Sequence, residues 1–84
     1  MEDIKGLRNR IDKIDDELIK LFEDRLDIVK RIGDIKRKNS IGTVDLKREE
    51  EVIGKGVSTI KNKDYSELAQ CFFRNIIELS KKVQ

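Results

Sequence analysis

The chain has 84 residues, 43% of them charged, and its 19 Lys and Arg are nearly balanced by 17 Asp and Glu. A chain this short buries only about 60 to 65% of the surface its unfolded form exposes, so it makes one small domain with a thin core, and a partner is expected to complete it. The single Cys71 excludes an internal disulfide and, with no His, an ordinary zinc cluster; acids interrupt the basic runs, against a nucleic-acid stripe, and no apolar run can span a membrane.

The opening stretch "MEDIKGLRNR" has no signal-peptide core, which makes the reducing cytoplasm the expected compartment. With no Pro and long 3.6-type periodicity, the fold class is all-α, a three-helix chain with one long N-terminal helix. That helix is expected over residues 3 to 38. Ile4, Leu7, Ile11, Ile14, Leu18, Leu21, Arg25, Ile28, Ile32 and Ile35 follow one another in steps of three and four, a heptad seam in which only Arg25 is not aliphatic. Asn39, Ser40 and Gly42 then supply turn chemistry.

A helix of that length is about 54 Å long, whereas a compact globule of this size is only about 30 Å across. It must protrude with its seam exposed, so an intertwined helical homodimer with a shared core is expected.

The second helix is expected from Leu46 to about Lys61, with Leu46, Glu49, Ile53, Val57 and Ile60 on one face. Asp45 is its N-cap. The position three residues later, where a capping box wants Glu or Gln, holds Arg48, a cation in the turn where the helix dipole disfavours one. Gly54 and Gly56 mark either a close neighbouring backbone or an irregular helix. The third helix is expected to start after Asp64, which forms a capping-box pattern with Glu67. Leu68, Ala69, Phe72, Phe73, Ile76 and Leu79 give its apolar face, and Ser80 and Gln84 continue the edge one turn apart.

Polar residues on these faces carry the functional signal. Arg25 has Leu21, Phe22, Ile28 and Val29 as helical neighbours, so no carboxylate of its own helix neutralises it. By itself it could reach water or pair with Glu49, and Arg8 and Lys36, beside the seam, could each be a solvated rim cation. Together, Arg25, Lys36, Arg48, Glu49, Ser80 and Gln84 border one apolar interior with cations in excess. That suits a small, multiply anionic ligand, because Arg offers a planar fork to carboxylates. Arg8 and Arg25 lie about 26 Å apart along one helix. They cannot grip one small molecule from the same chain, so a contributing Arg8 must come from the dimer mate.

The spacing of Arg8, Arg25, Lys36, Asp45, Arg48, Glu49, Ser80 and Gln84, with the strings "LRNRIDKIDDELIKL", "GDIKRK", "DLKREEEV" and "IIELS", resembles the all-helical class of chorismate mutases across nearly the whole chain. The resemblance implies a single domain over residues 1–84 and a homodimer with two equivalent sites. It implies an isomerase that converts chorismate to prephenate in aromatic amino-acid biosynthesis, without cofactor, metal, nucleic acid or membrane. Arg25 and the partner subunit's Arg8 would bind the substrate carboxylates, with Arg48 and Ser80 assisting at the ring carboxylate. Glu49 and the backbone at Asp45 would hold the ring hydroxyl, and Lys36 and Gln84 would donate to the ether oxygen. Two other readings stay open: an enzyme similar to isochorismate-pyruvate lyases, and a helical dimerisation module without a ligand.

Overall fold

The computed structural model describes residues 3–84 as three helices, α1 (Ile4–Lys38), α2 (Leu46–Thr59) and α3 (Ser66–Ser80), with short 3-10 turns at Lys63–Tyr65 and Lys81–Val83. No strand occurs among the described residues, and no helix among them is long and apolar enough to cross a membrane.

α1 starts where Asp3 accepts a hydrogen bond from the Gly6 N–H at 2.7 Å. It stops after Lys38 because Ser40 enters the left-handed region at φ 54°. The Ile41 N–H then returns to the Lys36 carbonyl at 2.8 Å and the Ser40 N–H to that of Arg37 at 3.2 Å. Two otherwise orphaned helix-end carbonyls are satisfied this way, and the chain reverses alongside α1. Lys36, Arg37 and Lys38 complement the negative end of the helix dipole.

Asp45 caps α2 as expected, accepting from the Arg48 N–H at 3.0 Å. The helix ends at Thr59, with Ile60 extended, slightly before the expected Lys61. The start of α3 differs from expectation. Asp64 does not cap it: Asn62 accepts from the Asp64 N–H at 3.0 Å and folds Lys63–Tyr65 into a 3-10 turn, leaving Tyr65 in the cap position with no side-chain bond. Asn62, directly before the turn, binds the N–H of Asp64 itself and draws Asp64 into the turn, so the Asp64 and Glu67 pattern is not used. At the other end, Gln84 does not continue α3, because the chain tightens into the 3-10 turn Lys81–Val83 directly after Ser80.

α2 and α3 pack as an antiparallel pair. A Cβ on Gly56 would overlap the Phe73 ring, whereas Gly54 faces open space. Close approach therefore explains the first glycine and not the second. The apolar core of this single chain is small: among the described residues Ile53 and Ile77 are the buried hydrophobic ones, and Ile77 lies outside the face expected for α3. Leu46, Leu68, Phe72 and Leu79, expected on apolar faces, are exposed here. The shape measures 58 × 25 × 15 Å. α1 projects far beyond the α2–α3 pair, with every residue from Asp3 to Leu21 exposed.

Candidate active site

Where the C-terminal half of α1 meets the N-terminus of α2 and the end of α3, a cavity of about 270 Å³ opens. Ile28, Val29, Ile32, Val52 and Ile77 supply its apolar walls. Arg25, Lys36, Asp45, Arg48, Glu49, Ser80 and Gln84 all line it. Seven of the eight polar residues singled out in the sequence thus meet at one place; Arg8, on the projecting end of α1, is not among them.

Arg25 crosses from α1 to α3 and donates to Ser80 Oγ at 2.5 Å, while the buried Ser80 hydroxyl donates to the Ile76 carbonyl at 2.7 Å. Ser80 therefore links α1 to α3, with its single proton given to the Ile76 carbonyl and one lone pair to Arg25. Burial first, and the nearby Arg48 charge second, pull the Arg25 pKa below its ordinary value. The guanidinium remains protonated, since no protein environment deprotonates it. It is a cation held beside another cation, in surroundings that an incoming anion would relieve.

Glu49 is not the neutralising partner of Arg25. Its carboxylate meets the ammonium of Lys81 at 3.2 Å, and Lys81 also binds Glu78 at 3.1 Å. Those hydrogen bonds, to Glu78 first and Glu49 second, raise the Lys81 pKa. Lys81 lines the same cavity and was missed by the sequence argument. Its signal is faint, a lysine pair just past an apolar face, and a helical extrapolation sends such residues to solvent.

Among the described residues, the guanidinium of Arg48 has one loose ion pair, to Glu51 at 3.6 Å, between two exposed side chains. Such pairs contribute about 0 to 1 kcal/mol, so the guanidinium is free to swing toward the cavity. Lys36 is half-buried, and no ion pair holds it among the described residues. The lining carries four cations, Arg25, Lys36, Arg48 and Lys81, against the two carboxylates Asp45 and Glu49. Both carboxylates are engaged, Asp45 in the helix cap and Glu49 with Lys81. The chemical capacity of this site is to bind an anion with more than one acidic group.

A larger hollow of about 920 Å³ lies between α2 and α3 and shares Arg25 and Arg48 with the first. Apolar side chains of Val52, Ile60, Leu68, Phe72 and Phe73 line it together with Glu51, Lys55, Thr59 and Tyr65, but Lys36, Asp45, Glu49, Ser80 and Gln84 are not part of it. The smaller cavity is the better candidate because it gathers seven of the eight polar residues singled out in the sequence.

Comparisons with known proteins bear on what occupies it. The family described as chorismate mutase type II matches residues 7–84. The bifunctional chorismate mutase/prephenate dehydratase of Aquifex aeolicus (strain VF5) is 42% identical over 55 residues, which cover 66% of this chain and 15% of that protein. The T-protein of Haemophilus influenzae is 41% identical over 49 residues, covering 58% of this chain and 13% of that protein. The matched stretch is thus well under a fifth of either relative's length. No solved structure matches the chain.

Proposed function

We propose that this chain, which belongs to the chorismate mutase type II family, converts chorismate to prephenate as a single domain over residues 1–84. The observation that carries the proposal is the convergence of seven polar residues, from three helices and the segments that flank them, on one cavity in which cations outnumber carboxylates. Chorismate is a dianion, and its rearrangement is unimolecular: one carbon–oxygen bond breaks as one carbon–carbon bond forms, and no proton or electron leaves the molecule. The enzyme's task is to hold the folded conformer and to place donors where negative charge grows on the departing ether oxygen.

Arg25 grips a carboxylate while keeping its bond to Ser80, and Arg48 leaves Glu51 for the ring carboxylate. Each such charge-assisted hydrogen bond is worth roughly 1.5 to 3 kcal/mol. Glu49 accepts the ring hydroxyl, with the Asp45 backbone beside it. Lys36 and Gln84 donate to the ether oxygen, an interaction that strengthens in the transition state and so raises turnover.

The remaining cation is Arg8 of the partner subunit. Support for a homodimer comes from the exposed seam of α1 and from the apolar trough beside Arg25 and Arg48. If antiparallel α1 helices bring Arg8 over Arg25, the two-fold axis passes halfway between those positions, level with Asp16 and Glu17. Residues 4 to 29 then overlap with their counterparts, and the helix beyond residue 29 is left to the site. The dimer acts in the cytoplasm.

Ultraviolet absorbance follows chorismate loss directly. The purified protein should convert chorismate to prephenate and leave isochorismate intact. A folded dimer that leaves chorismate unchanged overturns the proposal, and pyruvate released from isochorismate would identify a lyase instead. Mixing Arg8→Ala chains with Arg25→Ala chains should restore part of the activity after subunit exchange, since each heterodimer regains one complete site.

A further inference from the structure

Gly33 is the one buried residue of α1 among those described; the others are exposed or half-covered. What covers it is the main chain of Gln84. A Cβ built on Gly33 would stand 3.0 Å from both the Cα and the carbonyl carbon of Gln84, closer than side-chain carbons normally come to backbone. The 3-10 turn Lys81–Val83 packs on α1 and delivers Gln84 to that spot, where the residue joins the cavity lining. A glycine inside a helix is unfavourable relative to Ala, so its presence at this point of contact calls for a compensating role. Gln84 lies outside α3, which ends at Ser80, so the hydrogen-bond ladder of α3 does not hold it.

We infer that Gly33 is a positioning residue: its bare Cα is the seat on which the Gln84 main chain rests, and this seat sets how far the Gln84 side chain reaches into the cavity. The inference rests on the proposed rearrangement, in which Gln84 donates to the ether oxygen. Adding a methyl group at residue 33 lifts Gln84 by a few tenths of an ångström, and a larger side chain unseats it. Substrate carboxylates, held by Arg25 and Arg48, are unaffected. The cost therefore falls on turnover and not on affinity.

Steady-state kinetics of wild type, Gly33→Ala, Gly33→Leu, Gln84→Ala and the double variant Gly33→Leu/Gln84→Ala test this, together with ¹⁵N relaxation of the Gln84 backbone amide. Gly33→Ala should lower kcat several-fold, and Gly33→Leu by about ten- to a hundredfold, since misplacing a reacting contact by an ångström costs up to that much. KM should stay within about twofold, thermal stability should hold or rise in Gly33→Ala, and the double variant should be no worse than Gln84→Ala alone. The Gln84 amide should be ordered in wild type and mobile in Gly33→Leu. If Gln84→Ala loses turnover while Gly33→Leu keeps it, the seat is overturned and the rearrangement stands. If wild type does not act on chorismate, the rearrangement falls. The relaxation data then decide the seat separately, and an equally ordered Gln84 in both proteins overturns it.

Discussion

From Phe22 to Lys36, α1 lies against its own chain: Phe22, Arg25, Leu26, Val29 and Lys36 are half-covered and Gly33 is buried. From Asp3 to Leu21 the same helix is exposed at every residue, although Ile4, Leu7, Ile11, Ile14, Leu18 and Leu21 continue the same apolar stepping. One half of the helix is therefore a wall of the cavity, and the other is an apolar face without a cover. Burying six such side chains is worth on the order of 10 kcal/mol, as much as the whole stability of a small domain. The single chain leaves that stabilisation unrealised, and the proposed dimer would realise it.

The largest expected effect comes from placing a charge on each half. Ile14 and Ile35 are similarly exposed in the single chain, 63% and 57%, and only Ile14 falls within the overlap proposed for the dimer. Ile14→Glu should weaken the dimer by about 3 to 5 kcal/mol, the cost of burying an unpaired charge, with loss of turnover at low protein concentration. Ile35→Glu should cost less than about 1 kcal/mol, as surface substitutions do. Sedimentation equilibrium reads both. Equal penalties would erase the distinction between the halves.

The next effect separates stability from function inside the covered half. Arg25 carries a charge that burial and Arg48 both disfavour, yet the proposed site needs it. Arg25→Met keeps the length and apolar stem without the charge. It should preserve or raise the melting temperature while lowering kcat/KM about ten- to a hundredfold, the value of one charge-assisted bond. Parallel loss of stability and activity would mean that Arg25 serves the fold alone.

Much of this arrangement was legible in the sequence because it follows regular helical geometry. The steps of three and four from Ile4 to Ile35 fixed the length of α1, and its protrusion followed from arithmetic. Asp45 was legible as a cap because its side chain has only local donors to reach. The polar set across three helices was legible through its spacing and family likeness. What escaped depends on departures from that geometry. Past Ser80 the chain turns about 120° per residue instead of 100°, so a helical extrapolation misplaced Gln84 on α3 and gave no reason to bring Lys81 into the site. Asn62 and Asp64 are both good turn and cap residues, and the sequence does not say that Asn62 takes the Asp64 N–H and starts a 3-10 turn ahead of α3. Ile77 was passed over because the reading favoured the aromatic side of α3, while the packing against α2 centres on Ile53 and Ile77.

The covered region has its own internal contrast in Gly54 and Gly56. At Gly56, a methyl group has to displace the Phe73 ring, so Gly56→Ala should destabilise by about 1 to 3 kcal/mol, the usual cost of overpacking. At Gly54 nothing lies within 4 Å, and Gly54→Ala should stabilise by up to about 1 kcal/mol through helix propensity. Urea unfolding measures both signs. A destabilising Gly54→Ala would place a partner's backbone against α2 there, and so extend the interface beyond α1.

The smallest effect concerns Lys81, and its pH dependence has a definite sign. Its pKa is raised by Glu78 and Glu49, so the folded state prefers the protonated lysine. The stabilisation is complete below the ordinary lysine pKa of about 10.4 and is lost as pH rises through the higher folded value. The melting-temperature gap between wild type and Lys81→Ala should therefore be flat from about pH 7 to 9 and close above about pH 10.5. At neutral pH, Lys81→Ala removes one of four cavity cations and frees Glu49, and should raise KM only about two- to fivefold, as suits a partly exposed pair. In a Glu49→Gln background the part of that penalty transmitted through Glu49 disappears. Any penalty that survives there is direct attraction between Lys81 and the dianion, so the double variant separates a lysine that orients a carboxylate from one that serves as a further anion contact.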